Sequence, residues 1–323
     1  LLLLFIGGNS LVKITNIDQS TQRVNQLSLP ALDKSYELQV EFILMSKSAQ
    51  ASFYTSAQDE LATLRKNFNQ QKKRYDNSYQ ELQQIVSNDP KLKQSSQQVE
   101  QTYKRFVKSV DNLFADKQTQ LELNKTLRTQ LENIEISAED ANSVVLDIID
   151  IDGLEENHSR AYQAANNMEN NFQSVVTNST DMLTVKTLNT LDIVKNEQVY
   201  YLEEVERSLG LIRPAIIDNN AGLYNDLNGY FETLSDNVRG NNSLSANKKR
   251  LIDAIAKTEA ELANAENSTS EALKQLKELV DQATVLAFDL QQDVSGNVST
   301  ATIWTWVAMV IATLIAIIVA AVT

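Results

Sequence analysis

From Val99 to Ile148 the chain carries apolar residues at alternating spacings of three and four, with no Gly or Pro anywhere between them. The seam runs Val99, Tyr103, Phe106, Val110, Leu113, then Leu127, Leu131, Ile134, Ala138, Ala141, Val145 and Ile148. Such a period puts one face of a long helix against partner helices and leaves no room for strands. A second seam runs Tyr224, Leu227, Phe231, Leu234, Val238, then Ile252, Ile255, Leu262, Leu273, Leu276, Val280, Ala283 and Leu290. With 8 Gly and 3 Pro in 323 residues, few reversals are available, and an all-α fold follows.

Turn signals divide the chain. Ser87-Asn88-Asp89-Pro90 precedes the first seam, and Arg213-Pro214 with Asp218-Asn219-Asn220 precedes the second. Asp150-Ile151-Asp152-Gly153 marks a reversal between them. The two seams superpose at a shift of about 121 residues, Tyr103 on Tyr224, which suggests a duplicated helical hairpin. Polar stretches at Ser46–Gln58 and Thr177–Thr190 predict breaks in two ascending helices, because Ser, Thr and Asn compete with helical backbone bonding. Arg239-Gly240-Asn241-Asn242-Ser243 reads locally as a turn, but the seam keeps its phase across it, which favours a continuous or kinked helix.

From Lys91 to Asp150 a helix would run about 90 Å. The expectation is two stacked four-helix-bundle modules built from two long and four short helices, flanked by membrane helices. The distal module would take in about 52–117 and 190–241, the proximal one about 9–50, 120–188 and 245–298.

The ends are apolar. Ala301–Val322 is uncharged, begins with Trp304 and Trp306, and is long enough to cross a bilayer. Residues 1–8, LLLLFIGG, read as the outer end of a first membrane helix; a cleaved signal peptide would need a basic n-region and an A-x-A site. A net charge of -13 excludes nucleic acid as a partner. No cysteine is present, so there is no disulfide framework or thiolate metal site, and the lone His158 has no nucleophile or kinase core to serve. No enzyme, metal or cofactor is expected.

Candidate binding chemistry falls in two places. Lys47, Gln50, Lys117, Gln120, Asn124, Asn241, Ser245 and Lys248 occupy seam positions near the module junction, where converging lysines suit a carboxylate. Helices that splay there and admit water are the plainer alternative. Tyrosines Tyr54, Tyr75, Tyr79, Tyr103, Tyr200, Tyr201, Tyr224 and Tyr230 gather in the expected distal module beside Arg74 and Arg105, as a ligand pocket or as core filler. Lys117, Gln120, Asn124, Lys248, Tyr103, Tyr224 and Arg105 are the residues singled out.

With its layout of paired hairpins between apolar ends, and the segments Tyr103-Lys104-Arg105-Phe106 and Tyr224-Asn225-Asp226-Leu227, the whole chain resembles the helical bimodular sensor domain of bacterial chemoreceptors and sensor kinases. The resemblance implies a homodimeric receptor in the inner membrane, residues 9–300 in the periplasm, a small-molecule ligand or a periplasmic binding protein as partner, and lipid around 1–8 and 301–322. It points first to a chemoreceptor, with a sensor histidine kinase as alternative and a ligand-free helical scaffold as a third reading. Family members that read carboxylates carry arginines on the first helix. Here that helix reads Leu38-Gln39-Val40-Glu41-Phe42-Ile43-Leu44-Met45, so their ligand class does not transfer.

Overall fold

The structure, a computed structural model, describes residues 2–322, the backbone alone for 2–7, 9, 10 and 314–322. Leu1 and Thr323, the outer limits of the two expected membrane segments, lie outside the described residues. The described residues are helical almost throughout, in nine α-helices: α1 Leu2–Arg23, α2 Leu29–Tyr54, α3 Gln58–Ile85, α4 Pro90–Ile149, α5 Leu154–Asn157, α6 Ser159–Thr184, α7 Leu188–Ile216, α8 Ala221–Arg239 and α9 Leu244–Val322. The first long seam is α4, 60 residues in one piece.

Local chemistry sets the boundaries. Pro30 has no N–H for the Gln26 carbonyl, and the helix widens into a π turn at Val24–Ser28 just before it. Asp89 caps α4, its Oδ1 accepting from the Lys91 and Leu92 amides at 3.1 and 3.0 Å, with Pro90 in the first turn. Asp89→Ala should cost about 1 kcal/mol, read as faster amide exchange confined to the first turn of α4. Gly153, at φ +75°, makes the reversal after α4, a conformation that side-chain-bearing residues rarely adopt.

The chain divides into two units. One holds the residues through Thr55, Asp59–Asn112 and those from Glu261 on; the other holds Ser56–Gln58 and Leu113–Ala260. In the first, α2 and α3 are antiparallel: Lys34 bonds Glu81 at 2.8 Å, Ser78 donates to Glu37 at 3.0 Å, and Ser48 to Gln71 at 3.1 Å. Helix α9 descends alongside, with Arg105 to Glu271 at 2.8 Å, Ser28 to the Ala283 carbonyl at 2.6 Å and Lys13 to Asn297 at 3.0 Å. In the second, a continuous core runs from Leu127 on α4 through α6, α7 and α8 to Leu251 on α9.

The expected module boundaries therefore need correction. Residues 59–112 belong with those through Thr55 and from Glu261 on, not with 190–241, because the polar stretches Ser46–Gln58 and Thr177–Thr190 hold full reversals rather than breaks in ascending helices. At both, the backbone turns extended, at Thr55 (ψ 144°) and Val185 (ψ 136°), and the next helix returns.

The duplication has a different register. Burial along 41–68 recurs position for position along 171–198, an offset of 130 (172 − 42), so Phe42 answers to Phe172, Leu61 to Leu191 and Phe68 to Gln198. The third helices start at Pro90 and Ala221, an offset of 131 (221 − 90), which matches Tyr103 with Leu234 rather than Tyr224. The second seam is interrupted: α8 ends at Arg239 and α9 begins at Leu244, with both running antiparallel to α4. The phase argument predicted the sense of the chain correctly and missed the loss of four helical residues.

Candidate functional site

The residues singled out from the sequence fall in both units. Tyr103 and Arg105 belong to the first unit, while Lys117, Gln120, Asn124, Tyr224 and Lys248 belong to the second. The eight tyrosines divide in the same way, Tyr54, Tyr75, Tyr79 and Tyr103 in the first unit and Tyr200, Tyr201, Tyr224 and Tyr230 in the second.

Tyr103 is core. It stacks on Tyr75 with ring centroids 4.0 Å apart, near Phe42, and its hydroxyl donates to Asp76 Oδ1 at 2.6 Å. Burial, and then the Asp76 carboxylate, push its pKa well above the ordinary tyrosine range; burial does the same to Tyr75. Tyr79 stacks on Tyr75 and donates to Glu100 at 3.2 Å. Arg105 is exposed and spends its guanidinium on Thr102 (3.0 Å) and Glu271 (2.8 Å). The hydroxyls of Tyr79 and Tyr103 are bonded within the protein, while the Tyr75 hydroxyl is buried without a partner among the described residues. Tyr224 is half-buried beneath the Arg213 guanidinium, 5.8 Å from the ring centroid.

In the second unit two of the polar seam residues, Gln120 and Lys248, donate to backbone carbonyls. Gln120 is buried and donates to the Ala254 carbonyl at 3.0 Å and to Thr258. Lys248 is only 6% exposed, and its ammonium donates to the Leu183 carbonyl at 2.6 Å, capping the end of α6. Burial lowers the pKa of Lys248 and of Lys117, which is half-buried. Asn124 is exposed. Lys47 and Gln50, expected in the same layer, lie on α2 in the first unit, where Gln50 donates to Glu266 at 3.3 Å. His158 caps α6 through its backbone carbonyl, which accepts from Ala161 and Tyr162.

The segment Leu38–Met45, read from the sequence as the first helix, lies on α2. Glu41 is mostly buried on α2, and the cation beside it is Arg74 from α3, at 3.8 Å. What sequence reasoning missed is the surroundings of the interruption after α8. There Asn242 O accepts from Gln130 (2.6 Å) and Asn247 (3.1 Å), Asn247 donates to Gln130 (2.9 Å), and Arg250 reaches Asn242 and Asn247. The run Asn247-Lys248-Lys249-Arg250, the most basic stretch beside a Gly-Asn-Asn-Ser segment, was the available signal.

Among the described residues no group of three or more His, Cys, Asp or Glu side chains is placed to hold a metal ion. The C-terminal end of α9 is long and apolar enough to cross a membrane by length and composition.

No protein-family model matches the chain, and no curated protein matches it. Solved structures that share its fold include two sensor domains. The sensor domain of the histidine kinase sensor TorS from V. parahaemolyticus is 13% identical, matches 78% of this chain and 99% of its own, and superposes with a TM-score of 0.58. The TorS sensor domain in its complex with TorT in the presence of TMAO is 12% identical, matches 79% of this chain and 99% of its own, with a TM-score of 0.61.

Proposed function

We propose that the chain is the periplasmic sensor region of an inner-membrane signalling receptor of the histidine kinase type, which works as a homodimer and docks a periplasmic binding protein. The observation that carries this reading is α9: one uninterrupted helix leads from Leu244, in the core of the second unit, to the apolar stretch ending at Val322. A push at its head is transmitted along a rigid rod into a membrane span, and shifts of an Ångström or two are what packed helices transmit. The fold likeness to sensor domains of a histidine kinase favours a kinase output over a chemoreceptor output. One of those relatives is seen in complex with TorT, which supports a protein partner for this chain too.

Surfaces for both partners are available. On α2, Leu29, Tyr36, Val40 and Ile43 are 41–55% exposed at spacings of seven, four and three, an apolar stripe suited to the same stripe of a second copy lying parallel in the membrane. On α7, Ile193, Tyr200 and Leu211 are exposed on one line of the helix, opposite its buried face, a surface suited to a protein partner.

The test is a fusion of the whole chain, behind Thr323, to the cytoplasmic part of a histidine kinase, in membranes. The sequence has no cysteine, so Tyr36→Cys and Ile43→Cys report only on the α2 stripe. Both variants are expected to cross-link between copies, with kinase activity changing severalfold on cross-linking. A fusion whose copies do not cross-link and whose activity ignores every change in the sensor region would sink the proposal.

A further inference from the structure

The outward faces of the repeated helices α2 and α6 are not alike. From Leu29 to Ile43 the exposed residues of α2 are Leu29, Asp33, Tyr36, Val40 and Ile43, at spacings of four and three. That period is the seam of a two-helix coil. At the repeated positions, an offset of 130 (159 − 29), α6 presents Ser159, Gln163, Asn166, Asn170 and Gln173, every one polar. A face that meets only water reads as α6 does, so the α2 face is built for an occupant. A seam at heptad spacing suits a helix with the same period, the α2 of a second copy.

Asp33 is the charge within this seam. It is exposed, and among the described residues it has no ion-pair partner. Its neighbours are spent on each other. Glu37 accepts from Lys34 at 2.8 Å and from Ser78 at 3.0 Å, Lys34 also reaches Glu81 at 2.8 Å, and Arg74 from α3 lies 3.8 Å from Glu41. Asp33, Glu37, Glu41 and Arg74 line one hollow between α2 and α3, so carboxylates outnumber cations beside the seam. Two copies in one membrane stand parallel, and the parallel seam sets Asp33 against Asp33. Turned antiparallel about Val40, it would set Asp33 against Lys47, a pairing that a shared membrane forbids.

We propose that Asp33 makes the closing of this seam proton-dependent, so that the two copies associate more tightly in acid. Carboxylates held face to face repel while both are charged, and one proton bound between them replaces the repulsion with a hydrogen bond. The closed dimer therefore binds a proton more strongly than the separate copies do. Association strengthens as pH falls toward the carboxylate range and weakens as pH rises out of it. Tyr36, Val40 and Ile43 hold the seam at any pH, and Asp33 sets how tightly. The inference rests on the dimer reading of the α2 stripe and adds its regulation.

The test uses the whole chain in lipid vesicles, labelled at a cysteine placed at the exposed Ser87, with a donor dye on half of the copies and an acceptor on the rest. Energy transfer across a lipid dilution series gives the dissociation constant of the dimer. The dimer is expected to be about tenfold tighter at about pH 4.5 than at about pH 7.5, the uptake of one proton over part of that span. Asp33→Asn, the neutral isostere, should be as tight near neutrality as the parent chain is in acid, with most of the response gone. Glu203→Gln, which removes an exposed charge from α7 in the other unit, should keep the response. Energy transfer absent at both pH values overturns this proposal and the dimer reading together. Transfer that is equal at both, or a full response left in Asp33→Asn, overturns the proton dependence alone.

Discussion

Phe42→Ala is expected to destabilise the first unit by about 3–5 kcal/mol, the usual consequence of emptying a fully buried aromatic site. Phe42 is completely buried on α2, and its ring lies 4.6 Å from that of Phe106, 5.8 Å from Tyr75 and 6.3 Å from Tyr103. Those partners come from α3 and α4, so the surrounding rings are pinned on two other helices and cannot easily close the gap. Hydrogen exchange resolved by segment is the measurement. Protection should fall in 29–54, 58–85 and 90–112, while the core from Leu127 to Leu251 keeps its own. Phe172→Ala, at the repeated position, should give the converse. Equal loss of protection throughout the chain in either variant would show that the two units unfold as one and refute their independence.

Alkali should unfold the first unit before the second. Tyr75 and Tyr103 hold their protons in the folded state well past the ordinary tyrosine pKa of about 10, Tyr75 through burial and Tyr103 through burial and the neighbouring Asp76. Above that pH the unfolded chain sheds protons that the native state keeps, so stability declines as pH rises from about 10 toward the folded pKa values. Each such tyrosine removes about 1.4 kcal/mol per pH unit, hence about 3 kcal/mol for the pair. Tyr79 has the same sign, with more solvent screening. The second unit responds in the opposite direction: burial lowers Lys248 and Lys117, so the unfolded state holds the extra protons and stability rises as pH climbs toward the ordinary lysine value. Tyrosinate absorbance followed with circular dichroism decides the matter. Tyr103→Phe should move the alkaline midpoint up. Ionisation of the buried pair ahead of any loss of helix would contradict this account.

Helix chemistry was legible in the sequence wherever it is local. The seam of α4, the Asp89-Pro90 start and the Gly153 reversal are all readable from spacing and from what each side chain can donate or accept. Chain direction at the two polar stretches was not. Ser46–Gln58 and Thr177–Thr190 advertise the end of a helix, but the same Ser and Thr residues serve a kink and a hairpin, and it is contacts between the flanking helices, such as Phe42 with Tyr75 and Gln198 with Ser179, that distinguish them. From that single ambiguity came the wrong partners for 59–112, and with them the idea that Tyr103 and Tyr224 share a pocket. The true repeat was hidden because burial, not residue identity, is what the copies preserve: Phe68 and Gln198 are both fully buried at equivalent sites.

Order of synthesis enters through the way the units share the chain. The second unit is drawn almost entirely from one stretch, 113–260, whereas the first needs α2 and α3 from one end and the last part of α9 from the other. On the ribosome, the late-starting unit can therefore be complete while the early-starting one still waits for its fourth helix, with the apolar faces of α2, α3 and the head of α4 left uncovered meanwhile. The delay gives a protease or a chaperone its opportunity at the first unit, and it gives the second the character of an insertion: joining 112 directly to 261 should yield a shorter chain that closes its four helices without a long wait.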